Sequence, residues 1–388
     1  MTTQPIVEQQ KPDRAAYRLL GMFTVAHGVN DFYALILPFL LPTLIETFDL
    51  DFAGAGFLAL ATSFFSNTLQ PVVGHFADKW QRRKTTIVAG YLIFSIGLVI
   101  AANARSYPVL LFAFLVYGLG QSTYHPQATN FITKTFAGMK GRAMGIHGIG
   151  GSLGNFSAPL LVTYLLTVLS LQLSLYLLIL PAVLVAGMLW FSLEDMKSEG
   201  GHFGRFTITR QLVLLSISFG LIFMLFRGFL IFLPTYLVNE GSTLTEAGRI
   251  SAMMLLIGFV AQPLGGTLYD RFGGRAVFAS AALVAGASLW LFLQGAWPSP
   301  LLYVILIGAA VTATFPVALA TSSAAAVDDN VGVSVGVMFG ISGMLSSVTP
   351  FFTGWLADRI GLESAFQFLI IFAAAGFLMA FTLPKKEE

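Results

Sequence analysis

No cysteine occurs among the 388 residues, which excludes disulfides, thiolate metal sites and cysteine nucleophiles together. Charge is almost as scarce. Only 10% of residues are Asp, Glu, Lys or Arg, against roughly 25% in a soluble domain, so a water-facing coat of ordinary density cannot be built. The glycine run Gly145 to Gly154 follows no strand and lacks the lysine and hydroxyl of a phosphate loop, which argues against an ATP-driven pump. No zinc-peptidase, kinase or serine-hydrolase signature occurs, and no enzyme activity, cofactor or metal site is expected. The polar stretch Met1 to Arg14 lacks the charged, apolar and small-residue order of a cleaved signal peptide. The net charge of +2 comes from short loop clusters and not from one basic face, so no nucleic-acid partner is expected.

What the chain has is apolar length. Hydrophobic residues make up 56% and aromatic residues 13%, and a bilayer core of about 30 Å needs about 20 apolar residues per helix. Twelve such runs are found, at 17–47, 53–77, 85–104, 107–133, 142–168, 171–193, 211–239, 245–269, 275–296, 299–326, 333–357 and 362–383. The first six repeat in the last six. Leu41-Pro42-Thr43 recurs as Leu233-Pro234-Thr235, and Gln70, Pro71, Gly74, Asp78 and Lys79 recur as Gln262, Pro263, Gly266, Asp270 and Arg271, all at an offset of 192. Gly118 and Pro126 meet Gly308 and Pro316, while Gly145 and Pro159 meet Gly336 and Pro350. Two like halves around a midplane site are a transporter architecture. The predicted fold is an all-α membrane protein of two pseudo-symmetric six-helix bundles, 1–193 and 211–388, joined by a cytoplasmic linker over 194–210.

The basic residues set the orientation. With both termini and the even-to-odd loops in the cytoplasm, that side collects Arg14, Arg18, Lys79, Arg82, Arg83, Lys84, Lys134, Lys140, Arg142, Arg271 and Arg275, while the opposite loops hold Arg105, Arg249 and Arg359. The positive-inside rule then expects cytoplasmic termini in a plasma membrane, the inner membrane if the source is bacterial.

The loop after the second run, Gly74 to Lys84, carries Asp78, Lys79, Arg82, Arg83 and Lys84. Gly74 permits close helix approach, Asp78 is an anion suited to a helix N-terminus or an arginine, and the basic cluster anchors at headgroups. This pattern, with its echo at Gly266, Asp270 and Arg271, resembles the signature loop of the major facilitator superfamily, although Gln81 stands where that family usually has glycine. The resemblance implies that Gly74, Asp78, Lys79, Arg82, Arg83, Asp270 and Arg271 serve the cytoplasmic gate. His27, Asn30 and Asp31, then Leu69 to Gly74, then Gly118, Gly120, His125 and Pro126, and finally Gly150, Gly151 and Gly154 resemble the fosmidomycin-resistance branch, whose members are drug exporters run on protons. The superfamily's usual helix 4 arginine is missing from Leu111 to Gly118.

Charges inside a membrane span cost several kcal/mol and mark function. Asp31 lies in the first span, with His27 one turn earlier on the same face, within hydrogen-bonding reach. A buried carboxyl beside a group that titrates near neutral pH is suited to carrying a proton. His27, Asp31 and His125 are therefore the proton-coupling candidates. His125 precedes Pro126, whose ring frees a carbonyl one turn back, so its ring has backbone capping as an alternative role. His75 is read as interfacial. Candidates for lining a substrate cavity are Asn30, Tyr33, Tyr117, Gln121, Tyr124, His147 and Arg227, with Phe315 as a further aromatic. Arg227 is the single arginine well inside a span, and its guanidinium needs a carboxylate, several carbonyls or an anionic ligand. The glycines of the fifth span suit close helix packing, and that span packed tightly against a helix of the other half would serve as a rocking seam and restrict proton leak.

These readings converge on a secondary active transporter working by alternating access: a monomer in lipid that exports a small or amphipathic compound against protons. An importer or facilitator of a metabolite, and a non-transporting receptor or scaffold, are the alternatives.

Overall fold

The computed structural model describes residues 13–194, 208–295, 299–325 and 331–384, without the side chains of Asp78, Ala137 and 331–333. Most of the linker expected at 194–210 therefore lies outside the described residues. Sixteen α-helices and no strand are found among those described. The first half contains α1 (Arg14–Ala34), α2 (Ile36–Phe48), α3 (Phe52–Thr68), α4 (Gln70–Lys79), α5 (Arg83–Ala102), α6 (Tyr107–Gln121), α7 (Tyr124–Thr135), α8 (Lys140–Val168), α9 (Leu171–Leu177) and α10 (Ile179–Ser192). The second contains α11 (Arg210–Asn239), α12 (Leu244–Leu256), α13 (Gly258–Leu293), α14 (Pro300–Ala324), α15 (Val331–Ile360) and α16 (Leu362–Ala380).

Sixteen helices make twelve crossings because proline divides several of them. Pro38, Pro126 and Pro181 each deprive the carbonyl four residues earlier of its donor, and α1, α6 and α9 stop at Ala34, Gln121 and Leu177, at or next to that carbonyl. Among the described residues, ten segments are long and apolar enough to cross a membrane by length and composition. One of them, Leu244–Leu293, holds two crossings folded back at Gly273, whose φ of 77° interrupts the helix. The broken pair α6 and α7 supplies the remaining crossing. Large apolar side chains such as Phe191, Leu184 and Leu378 point outward, as a lipid-facing surface requires.

With apolar solvent outside, burial of leucine gives little drive, and close approach of small residues decides packing. Along α1 and α8, a Cβ on Gly150 would sit 1.9 Å from the Thr24 carbonyl oxygen, and one on Gly154 would sit 2.0 Å from that of Gly28. The glycine face of α8 thus packs on α1 of its own half, while the same helix also meets α12 of the other half, as expected of the fifth span. The contact between halves involves different residues of α8. A Cβ on Gly248 of α12 would lie 2.7 Å from the Pro159 carbonyl oxygen, and the Thr167 and Thr245 hydroxyls stand 3.2 Å apart.

The repeat also explains a local conformation. Gly273, in the left-handed region, is the 192-offset counterpart of Gln81, which itself has φ 54°. The turn needs a positive φ in both halves, and in the first a side chain bears that cost. Gln81→Gly is expected to raise the thermal unfolding temperature in detergent modestly, a gain of about 1 kcal/mol or less. A lower temperature would show that contacts of the Gln81 side chain outweigh the strain.

Candidate functional site

Asp31 occupies the last turn of α1, four residues before the break at Leu35. His27, one turn back on the same face, places Nε2 3.3 Å from Asp31 Oδ2. The break between α6 and α7 then turns His125 inward, with Nε2 3.5 Å from Asp31 Oδ1. Asn30 Nδ2 lies 3.3 Å from both Asp31 Oδ1 and His125 Nε2. From α8, His147 stacks on His27 with centroids 4.1 Å apart and planes at 13°, and its carbonyl accepts a hydrogen bond from His27 Nδ1 at 2.9 Å. The side chains of His27 and Asp31 are 13% and 17% exposed and that of His125 is 40% exposed, so the cluster opens on its His125 side.

Gly151 makes the room. A Cβ there would lie 2.6 Å from Asp31 Oδ2 and 2.8 Å from His27 Nε2, closer than any real Cβ contact, so any other residue would force the carboxylate and the imidazole to move. The glycines of α8 therefore both seat the helix on α1 and leave space for the charged group.

The three tyrosines lie behind this cluster in the packed first half. The Tyr33 hydroxyl donates to the Leu178 carbonyl and the Tyr117 hydroxyl to the Tyr33 carbonyl, while the Tyr124 hydroxyl donates to the Phe23 carbonyl at 2.7 Å. All three are buried, and Gln121 reaches the Asn30 carbonyl at 3.4 Å. In this conformation they hold α1 to α6, α7 and α10. Phe315 packs among Phe219, Phe223 and Phe339 in the second half.

Arg227 is the one candidate that joins the halves. Its guanidinium donates from Nη2 to the Ser63 hydroxyl of α3, and no carboxylate pairs with it among the described residues. A half-buried guanidinium at the seam, bonded to a neutral hydroxyl, keeps donors in reserve for an anion.

The gating candidates are distributed differently. Gly74 faces Pro126 of α7, and Arg83 is buried with Nη1 donating to Gln127 Oε1 at 2.9 Å, so it ties α5 to α7. Lys79 ends α4 and Arg82 precedes α5. The side chain of Asp78 lies outside the described residues. In the second half, Asp270 borders a recess of about 320 Å³ with Gly273, Arg275 and Leu383, and Arg271 sits 5.2 Å from the Phe272 ring centroid. His75 is exposed beside Phe76.

Sequence reasoning missed Ser63, Gly151 as space for the site, and Asp358. From the end of α15, the Asp358 carboxylate accepts from the Phe52 and Ala53 backbone N–H groups at 2.8 Å each, capping α3 of the other half. A single acid at a span boundary carries no periodic signal, and its partner lies some three hundred residues away.

The sequence pattern of the Major Facilitator Superfamily matches residues 23–248 and 215–388. The Fosmidomycin resistance protein of Escherichia coli is 24% identical over 383 residues, covering 95% of this chain and 93% of that one. An uncharacterized MFS-type transporter of Bacillus subtilis, YfnC, is 25% identical over 400 residues, covering 98% and 96%. Among solved structures, a bacterial homologue of the human lysosomal transporter Spinster, inward-facing and occupied, superposes with a TM-score of 0.82 at 17% identity over 96% of this chain and 97% of that one. The nucleoside transporter NupG gives 0.76 at 15% identity over 93% and 98%. With twelve crossings in two repeated halves already established, the chain belongs to the major facilitator superfamily and is an integral multi-pass membrane transporter, not an enzyme.

Proposed function

We propose that this transporter is a proton-coupled exporter of a small or amphipathic compound bearing an acidic group. It works by alternating access as a monomer in the plasma or bacterial inner membrane, with both termini cytoplasmic. The observation that carries the reading is Asp31 held between His27 and His125 beside a helix break, because a buried carboxylate flanked by imidazoles can take up and release a proton without leaving the protein. Export takes support from the Escherichia coli relative, whose name is resistance to fosmidomycin, a phosphonate. Arg227 is suited to such an acid, since it sits on the seam between halves with donors to spare. The tight packing of the halves at the end away from the termini corresponds, in this topology, to closure on the side opposite the cytoplasm.

The test is a proton-flux measurement in inside-out vesicles across a compound panel that includes phosphonates and neutral analogues. Substrate-dependent proton release from acidified vesicles supports the reading, and none across the panel defeats it. Within that panel, Arg227→Gln is expected to weaken acidic compounds by about ten- to a hundred-fold, the value of a hydrogen bond to a charged group. Neutral analogues should hardly change. Equal weakening of both would remove Arg227 from substrate recognition.

A further inference from the structure

The cluster around Asp31 turns two imidazole ring nitrogens toward one carboxylate. His27 Nδ1 faces a carbonyl oxygen, which only accepts, so that nitrogen carries the ring proton and a neutral ring turns a lone pair on Nε2 toward Asp31. The Asn30 amide nitrogen only donates, so His125 Nε2, 3.3 Å away, is a second lone pair. Two imidazole lone pairs and a carboxylate thus converge from α1 and α7, with all three donor atoms within 4.8 Å of one another. A positive charge, from a proton or from a metal ion, reconciles them.

The spacing suits a metal ion. An ion with bonds of about 2.0–2.1 Å holds neighbouring tetrahedral ligands about 3.3 Å apart, and each imidazole stands at that separation from a different oxygen of the carboxylate, His27 Nε2 3.3 Å from Oδ2 and His125 Nε2 3.5 Å from Oδ1. The His147 carbonyl on His27 Nδ1 is the outer contact by which proteins fix the tautomer and direction of a metal-binding imidazole. Gly151 leaves the space that a Cβ would take from this pair. Beside it, Asn30 Oδ1 and His147 Nδ1 are buried acceptor or donor atoms without a partner, on residues only 1% and 3% exposed.

We propose that His27, His125 and Asp31 form a binding site for one divalent first-row transition metal of the zinc or cobalt class. Two nitrogen donors and one carboxylate favour such ions over magnesium or calcium, which prefer all-oxygen shells. Ligands must be deprotonated to bind, so the metal and a proton on Asp31 exclude one another. The binding itself stands apart from the proposed transport activity.

The test is titration of the purified full chain, in lipid nanodiscs and freed of any affinity tag, with Co²⁺ and Zn²⁺. A cysteine-free protein gives no thiolate absorption, so visible bands of bound Co²⁺ report nitrogen and oxygen ligands alone. The expected result is one Co²⁺ per chain, displaced by Zn²⁺ and not by Mg²⁺. His27→Gln, His125→Gln and Asp31→Asn should each weaken binding at least about a hundredfold, beyond the 10–100-fold typical of outer contacts. Gly151→Ala should weaken it with every ligand present, whereas His75→Gln, at an exposed histidine outside the group, should not. Cobalt-edge X-ray absorption on the unaltered protein needs no variant and should count two imidazoles. Absence of stoichiometric binding, equal competition by Mg²⁺, binding that survives Asp31→Asn, or fewer than two imidazoles would overturn the site. None of these results bears on vesicle proton flux, which judges the transport reading separately.

Discussion

Asp31→Asn is expected to leave the protein folded and to abolish uphill transport altogether while downhill exchange of substrate continues. The amide has the shape of the protonated acid, and its NH₂ can still donate to the Nε2 lone pair of His27, now at the other end of a 3.3 Å contact. Asn30 Nδ2 and His125 keep their places beside Oδ1, so packing at the α1 break should change little. What disappears is the negative state. A residue that cannot lose a proton cannot make the empty and loaded carriers differ in protonation, and coupling requires that difference. The measurement is substrate accumulation in inside-out vesicles with and without an imposed pH gradient. The parent should accumulate only with the gradient, and Asp31→Asn should equilibrate to the same level either way. Gradient-driven accumulation by the variant would sink the assignment of Asp31 as the coupling residue.

Part of this site was legible in sequence because part of it is local. His27 and Asp31 are one helical turn apart, and a charge in an apolar run is conspicuous against a composition with only 10% charged residues. His125 stood out because Pro126 follows it. The fold was legible for a similar reason, since run length and the 192-residue offset act over whole helices. The third dimension of the site was less legible. The stacking of His147 on His27 depends on the rotation of α8 about its axis, which is set by Gly150 and Gly154 pressing on Thr24 and Gly28. Those glycines announce close packing but do not say against which helix: they press on α1, and the contact of the same helix with the other half is made by Pro159 and Thr163 instead. Tyr33, Tyr117 and Tyr124 show a related limit. An aromatic hydroxyl in a span needs a partner, and here each finds a backbone carbonyl inside the first half instead of facing open space.

The second large effect is expected where the halves meet at the end away from the termini. There α3 begins with exposed N–H groups, and two acids satisfy them. Asp51 of its own loop accepts from Gly54 N at 2.7 Å, while Asp358 of α15 accepts from Phe52 and Ala53. Charge-assisted bonds at a helix N-terminus are among the stronger ones available. They form only because the backbones can touch: a Cβ on Gly354 would sit 2.0 Å from the Phe52 carbonyl oxygen, and one on Gly56 2.3 Å from that of Pro350. Both obstacles are main chain and cannot swing aside. Gly354→Val should therefore push α15 from α3 and break both Asp358 bonds. An overpacking cost of about 1–3 kcal/mol and bonds of about 1.5–3 kcal/mol each shift the conformational equilibrium at least about a hundredfold toward opening at this end. The chain's lack of cysteine allows a direct reading. Thr167→Cys with Thr245→Cys replaces hydroxyls that stand 3.2 Å apart on α8 and α12, so the pair should cross-link readily in the parent background. Added Gly354→Val should suppress that cross-link and stop turnover, because the carrier can no longer close this end. Gly340→Val on the same helix, where a Cβ meets nothing within 4 Å, should leave both unchanged. Undiminished cross-linking with Gly354→Val would mean that these glycines do not govern closure.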